Sequence, residues 1–260
     1  RRVEFVLADL LGQVRRKQAV PLRFRDELDW YLQLQNALAD FLQGAENIVG
    51  AGLSFPGIIH TQANQIVRSH IFGLSHVGLE RFQKSIPFPL TAANDANCAC
   101  FAEKSAGRDS FVYLSLNESV GGAVMMNGRL LLGDTFQTGE VGHMLLIPNG
   151  QPCYCGKAGC ADAYLSPQAL EQDGWDVYLD HLAMLLTNLR MALNMDLVAG
   201  GETGAQLQPH WDALRFRMAV YDRFARDIDY IYPCTQRENA CAIGAAAMAL
   251  EAFGSRILDG

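Results

Sequence analysis

Apolar positions along the chain switch between a period of two and a period near 3.6, and the switches predict alternating strands and helices. Val3-Glu4-Phe5-Val6-Leu7-Ala8-Asp9 predicts a strand, and Leu11-Gly12-Gln13-Val14 a tight turn into the next one. Over residues 26–42, Leu28, Tyr31, Leu32, Leu34, Leu38, Phe41 and Leu42 recur at helical spacing, with Gly44 as the stop. Residues 48–55 predict a buried strand entering Pro56-Gly57, followed by a loop and a helix over 79–84. Residues 88–93 predict another strand, stopping at Asn94-Asp95-Ala96-Asn97, with a helix over 97–104.

The second half repeats the alternation. Phe111-Val112-Tyr113-Leu114-Ser115-Leu116 predicts a strand, and Gly122-Ala123-Val124-Met125-Met126 its hairpin partner. Asn127-Gly128 is a two-residue hairpin signal before Arg129-Leu130-Leu131-Leu132. A long helix is expected over 175–193, a short strand at Leu197-Val198-Ala199 entering Gly200-Gly201, and an alanine-rich helix over 240–253. No low-complexity linker separates the halves, which predicts two α/β lobes meeting at a cleft. The smaller takes residues 1–108 and 243–260, the larger residues 109–242.

Composition narrows this picture. At 260 residues, half of them hydrophobic, the chain is one large domain or two modest ones and can bury a core without disulfides. No run approaches the roughly 18 uninterrupted apolar residues of a membrane span, and no signal-peptide pattern opens the chain. Seven cysteines, three of them crowded together, argue against a secreted disulfide framework and for a cytoplasmic protein. The net charge of −7 excludes a chain that grips nucleic acid through a broad basic face. Its basic clusters are only Arg1-Arg2 and Arg15-Arg16-Lys17, so any DNA reading is expected from a segment outside these residues. The chain opens without methionine directly on a strand-like run, which reads as lacking the true N-terminus.

The sharpest chemical signal is Gly139-Glu140-Val141-Gly142-His143 followed by Cys153-Tyr154-Cys155-Gly156-Lys157-Ala158-Gly159-Cys160. His143, Cys153, Cys155 and Cys160 fit a closed, tetrahedral Cys₃His zinc site, which is structural because no position stays open. Buried free cysteines beside an unrelated histidine are the alternative, but a Gly-rich C-x-C-x₄-C loop has little else to hold it. Zinc would also fix the His143 ring and leave its other nitrogen for a substrate hydroxyl. Asn94-Asp95, where a strand ends and a helix begins, reads first as an ordinary helix cap; a carboxylate there can also accept a proton from a hydroxyl. Glu140 and Asp162 flank the cysteine loop either as sugar-hydroxyl acceptors or as solvated surface acids.

In that order, Asn94-Asp95-Ala96-Asn97, Gly139-Glu140-Val141-Gly142-His143 and the Cys-x-Cys-Gly-x₃-Cys run resemble the ROK family of repressors, open reading frames and kinases. Phe55-Pro56-Gly57, Asn127-Gly128, Gly200-Gly201 and Ile243-Gly244-Ala245-Ala246 extend the resemblance over most of the chain. It implies an α/β, actin-like (ribonuclease H-like) two-lobed fold, a sugar in the cleft and commonly a homodimer. It also implies that Asp95 stands at the kinases' general base, and Asn94, Glu140 and His143 at sugar hydroxyls. Asp162 falls where the family usually has Glu, a shorter reach to the sugar.

The resemblance leaves two classes open. The kinases cradle ATP with a Gly-Thr-Gly-x-Gly turn after the strand ending here at Leu116. This chain instead has Asn117-Glu118-Ser119-Val120-Gly121-Gly122, placing a carboxylate where phosphates would lie. Some repressor members carry an acidic residue there, so the expected function is a sugar-sensing domain of a transcriptional regulator. Its expected partners are a monosaccharide or sugar phosphate and a second copy of itself, with no membrane. The alternative is an ATP-dependent sugar kinase for a hexose or N-acetylhexosamine. There Asp95 is the base, magnesium sits on the phosphates, and Gly121, Gly122, Gly200 and Gly201 line the nucleotide. Residues 164–175 look short for the family, and Cys98, Cys100, Cys234 and Cys241 read as ordinary buried thiols.

Overall fold

The computed structural model describes residues 2–104 and 107–258, so Arg1 of the first basic cluster lies outside the described residues. The chain divides into two compact units. One holds Arg1–Ala102, Asp134–Phe136 and Glu238–Gly260; the other holds Glu103–Gly133 and Gln137–Arg237.

In the first unit, β1 (Val3–Ala8) turns back into antiparallel β2 (Val14–Val20). The turn is organised by Asp9, whose Oδ1 accepts the N–H groups of Leu11 and Gln13, both at 2.9 Å. β2 carries the exposed Arg15, Arg16 and Lys17, the charges that guard an outer strand. Helix α1 (Leu28–Phe41) buries Trp30, Tyr31, Leu34 and Phe41. Next come β3 (Ala51–Phe55), β4 (Ile58–His60), β5 (Gln65–Ser69), β6 (Leu74–Gly78), α2 (Glu80–Ser85) and β7 (Leu90–Asn94). β3 and β7 pair in parallel from Ala51↔Leu90 to Phe55↔Asn94. The segment expected as a loop is in fact the antiparallel meander β4-β5-β6, whose Ile59 and Ile66 reach the core. That core is aromatic: Phe24, Trp30, Tyr31, Phe55, Phe72 and Phe82 interlock, largely edge to face. Helix α3 (Asp95–Lys104) starts two residues before the expected position, because Asn94 caps it.

The second unit has one five-stranded sheet. β8 (Phe111–Leu116) pairs antiparallel with β9 (Val120–Met126), which turns at Asn127-Gly128 into β10 (Arg129–Leu130). After α4 (Asp162–Leu165) and α5 (Pro167–Leu193), β11 (Asp196–Gly200) returns parallel to β8. Then follow α6 (Gly201–Gln206), α7 (Trp211–Tyr221) and β12 (Ile231–Pro233), giving the order β10-β9-β8-β11-β12. A short helical piece from Pro167 precedes the expected helix: Ser166 caps it by accepting the Ala169 N–H at 3.2 Å, and Gly174, at φ 75°, separates it from the long helix that follows from 175 as expected. Tyr178, Leu182, Leu185, Leu186 and Leu189 from α5 pack with Leu114, Leu116, Leu197, Leu214 and Met218. Cys98, Cys100 and Cys234 are buried and Cys241 half-buried.

The tail helix α8 (Ala240–Leu258) belongs to the first unit and runs past the expected 253. By length and composition alone it could cross a membrane. In the fold its small residues Gly244, Ala245 and Ala249 are buried, and Ala245 meets the backbone of Gly52 in β3.

Candidate functional site

Each unit presents its own set of candidate residues. In the first, Asn94 and Asp95 stand at the carboxyl end of parallel β7, the end of such strands where ligands generally bind. The Asn94 side chain makes three local hydrogen bonds and keeps one Nδ2 hydrogen beyond them. Its Oδ1 accepts the N–H groups of Ala96 (2.8 Å) and Asn97 (3.3 Å), and its Nδ2 donates to the Gly57 carbonyl (2.9 Å). The capping reading is therefore realised by Asn94, which also ties down the Phe55-Pro56-Gly57 turn. Asp95 occupies the first turn of α3, where the helix dipole favours a carboxylate, and its Oδ1 accepts the Ala96 N–H at 3.0 Å.

In the second unit, Glu140, His143, Asp162 and the three cysteines come together. His143 ends a single 3₁₀ turn, Val141–His143. That turn lies on β9 through a backbone-to-backbone approach: a Cβ on Gly139 would sit 2.3 Å from the Gly122 carbonyl oxygen. The cysteine loop closes through the Cys153 N–H donating to the Lys157 carbonyl at 2.7 Å, and the Lys157 ammonium donates to the His143 carbonyl at 2.7 Å. One donor atom from each of His143, Cys153, Cys155 and Cys160 lies within 4.8 Å of all the others. His143 Nδ1 is 3.8 Å from Cys153 Sγ, and Cys155 Sγ is 3.6 Å from Cys160 Sγ. Tetrahedral ligands on metal bonds of about 2.3 Å stand about 3.8 Å apart, so spacing and donor set both fit zinc. Although burial works against it, the Lys157 backbone N–H and the neighbouring thiols hold the Cys155 thiol below its usual range.

With Nδ1 facing the sulfurs, His143 Nε2 points the other way, 4.0 Å from Glu140 Oε2 and 3.4 Å from the Tyr154 hydroxyl. The two acids flanking the loop differ. Glu140 is 44% exposed, whereas Asp162 is buried and its Oδ1 accepts the Val120 N–H at the start of β9. Asp162 is thus no solvated surface acid, and burial pushes its carboxyl above the usual range despite that hydrogen bond. Tyr154, which the sequence reading passed over, stands beside His143, and partial burial first, then the negative charge of Asp162, raises its phenol.

The β8–β9 turn, Asn117-Glu118-Ser119, is held from inside. Asn117 Nδ2 donates to Ser115 Oγ at 2.8 Å, and its Oδ1 accepts the Glu202 N–H of α6 at 2.9 Å. Three of the four candidate nucleotide glycines have internal reasons to be glycine. A Cβ on Gly122 would strike Val141, one on Gly200 the Tyr113 hydroxyl, and one on Gly201 the Leu116 backbone.

The ROK family model matches residues 1–176, and the chain belongs to the ROK family. Its α/β fold is the actin-like fold of the family's sugar kinases. A glucokinase of Halalkalibacterium halodurans is 29% identical over 154 residues, covering 57% of this chain and 47% of that protein. The xylose repressor of Bacillus subtilis is 31% identical over 133 residues, covering 49% of this chain and 34% of the repressor. The chain thus spans half or less of the length of these curated relatives. The crystal structure of a ROK hexokinase from Thermus thermophilus superposes with a TM-score of 0.80 at 24% identity, covering 99% of this chain and 100% of that one.

Proposed function

We propose that this chain is the sugar-binding region of a ROK-type transcriptional regulator, in which a monosaccharide or sugar phosphate shifts the regulator's affinity for DNA. DNA is read by a segment outside these residues, in keeping with the net charge of −7. The observation that carries the reading is the β8–β9 turn. Phosphoryl transfer needs amides and small residues around the phosphates, and this turn offers the Glu118 carboxylate instead. Asn117 also occupies the Glu202 N–H, an amide a phosphate at α6 would require.

We assign sugar contacts to Asn94 and Asp95 in the first unit and to Glu140, His143 and Asp162 in the second. The carboxylates accept from sugar hydroxyls, and His143 presents Nε2. His143 Nδ1, Cys153, Cys155 and Cys160 are assigned to one zinc ion, which has no open position and so supplies structure rather than catalysis. Its role is to lock the imidazole with Nε2 outward. Sugar binding then selects one of two arrangements of the regulator, with a coupling of about 1–3 kcal/mol between sugar and DNA. The cysteine cluster favours a reducing, cytoplasmic setting, and the family resemblance a homodimer.

A second reading, an ATP-dependent sugar kinase, draws on the carboxylate of Asp95 at the first turn of α3, which would then serve as the general base. It needs ATP and magnesium near Gly121, Gly122, Gly200 and Gly201. The test is to mix the protein with glucose, xylose or N-acetylmannosamine, with and without ATP and magnesium. The expected outcome is a sugar-dependent rise in Tm with no sugar-dependent ATP consumption. ATP consumption that disappears in Asp95→Asn while sugar binding persists would establish the kinase instead.

A further inference from the structure

Tyr154 sits between two of the metal-binding cysteines, yet the Cys₃His set makes no use of it. Its ring packs edge-on against the His143 imidazole, with centroids 5.3 Å apart at 72°, and it remains 59% exposed. The hydroxyl reaches 3.4 Å from His143 Nε2, on the face of the imidazole turned away from the sulfurs and toward Glu140. The phenol, the imidazole and the Glu140 carboxylate, groups of different donor and acceptor character, therefore gather beside one exposed aromatic ring, all within the second unit. That is the make-up of a site for a neutral polyhydroxyl ligand: a carboxylate that only accepts, a phenol that does both, and an apolar ring face for the ligand's C–H surface.

We infer that Tyr154 is a sugar-contacting residue, its hydroxyl bonding a sugar hydroxyl beside His143 Nε2 and its ring closing over the sugar. The inference rests on the sugar-binding reading and deepens it. Because Cys153 and Cys155 flank Tyr154, the loop that gathers the four metal ligands also presets the phenol. Closure of that loop thus positions two sugar contacts, His143 and Tyr154, rather than one.

The test compares wild type with Tyr154→Phe and Tyr154→Ala, measuring glucose and xylose binding by calorimetry and zinc content by mass spectrometry. Tyr154→Phe should weaken the sugar that wild type binds about five- to tenfold, the usual worth of one hydrogen bond, and Tyr154→Ala more. Zinc should stay at the wild-type level in both. Unchanged binding in Tyr154→Phe overturns the inference, and so does tighter binding, which would make the phenol a competitor for His143. Zinc lost in proportion to sugar binding also overturns it, because Tyr154 would then act only by supporting the metal loop. Failure of wild type to bind any of these sugars sinks the sugar-binding reading itself, a result distinct from a variant that matches a binding wild type.

Discussion

The two units use similar strands in different ways. In the second, β8 stands mid-sheet, buried along its whole length, and hydrogen-bonds antiparallel β9 on one side and parallel β11 on the other. In the first, the antiparallel pair β1-β2 and the parallel pair β3-β7 are separate sheets, and no ladder joins them among the described residues. Both pairs nonetheless send residues into one aromatic core, Val3 and Phe5 from β1 and Leu53 and Phe55 from β3, and both lie against α8. The strands of the second unit are therefore joined by a continuous ladder as well as by their core, whereas the two strand pairs of the first are joined through side chains above and below them. One helix, α8, does for the first unit what a central strand does for the second.

Metal removal should produce the largest contrast. In the loop carrying Cys153, Cys155 and Cys160, Leu145 and Tyr154 are both 59% exposed, so a metal held by the Cys₃His set would add to its order. Protein purified without added metal should carry about one zinc per chain. Stripping it should lower Tm by roughly 10 °C, given about 2–4 °C per kcal/mol for chains of this size. Proteolysis should then cut between residues 144 and 160 while amide exchange in β3 and β7 stays as it was. An unchanged Tm after complete zinc loss would remove the basis for treating the loop as metal-stapled.

Breaking the clamp comes next. Gly244 of α8 lies so close to α3 that a Cβ there would fall 1.6 Å from the Cys98 carbonyl oxygen. Gly244→Ala must push α8 away, at a cost of about 1–3 kcal/mol. If α8 ties together both halves of the first unit, amide protection should fall in β1-β2 and β3-β7 alike and hold in β8. Loss confined to α3 and α8 would mean that the aromatic core alone joins the halves.

What was legible in the sequence follows the range of the contacts involved. The candidate metal ligands are local: C-x-C-x₄-C and a histidine one loop earlier need no fold to be seen. β8 was equally plain, because its apolar run is buried on both faces. The meander β4-β5-β6 was missed because its strands are three to five residues long and carry His60, Arg68 and His76. α7 was missed for a related reason: Leu214 and Met218 are its only buried residues, while Phe216, Val220 and Tyr221 face solvent and blur the stripe. The burial of Asp162, itself a named candidate, and the placement of Tyr154 were hidden differently. A carboxylate's burial and a phenol's aim at His143 are set by β9 and the closed loop, which no local pattern encodes.

The smallest effect is an acid-sensitive one, and it marks the second unit's dependence on buried polar ties. Asp222 follows α7, is buried, and organises the return to β12. Its Oδ1 accepts the N–H groups of Phe224 (2.9 Å) and Ala225 (3.0 Å), and its Oδ2 accepts the Tyr230 hydroxyl (2.7 Å). Arg190 lies over the Tyr230 ring at 4.5 Å and adds its positive charge. Burial alone would raise the carboxyl, but these donors and Arg190 together hold it below the usual aspartate range. A depressed folded-state pKa stabilises the fold fully above the unfolded value, about pH 4, and loses that contribution as pH falls through the folded value. Asp222→Asn should therefore cost about 1–2 kcal/mol at pH 7, read from urea unfolding, and the gap to wild type should narrow by pH 3. Amide exchange in β1-β2 should not register the change. A gap that stays constant from pH 7 to pH 3 would show that Asp222 acts through shape rather than charge, and the second unit would then lose this point of contrast with the first.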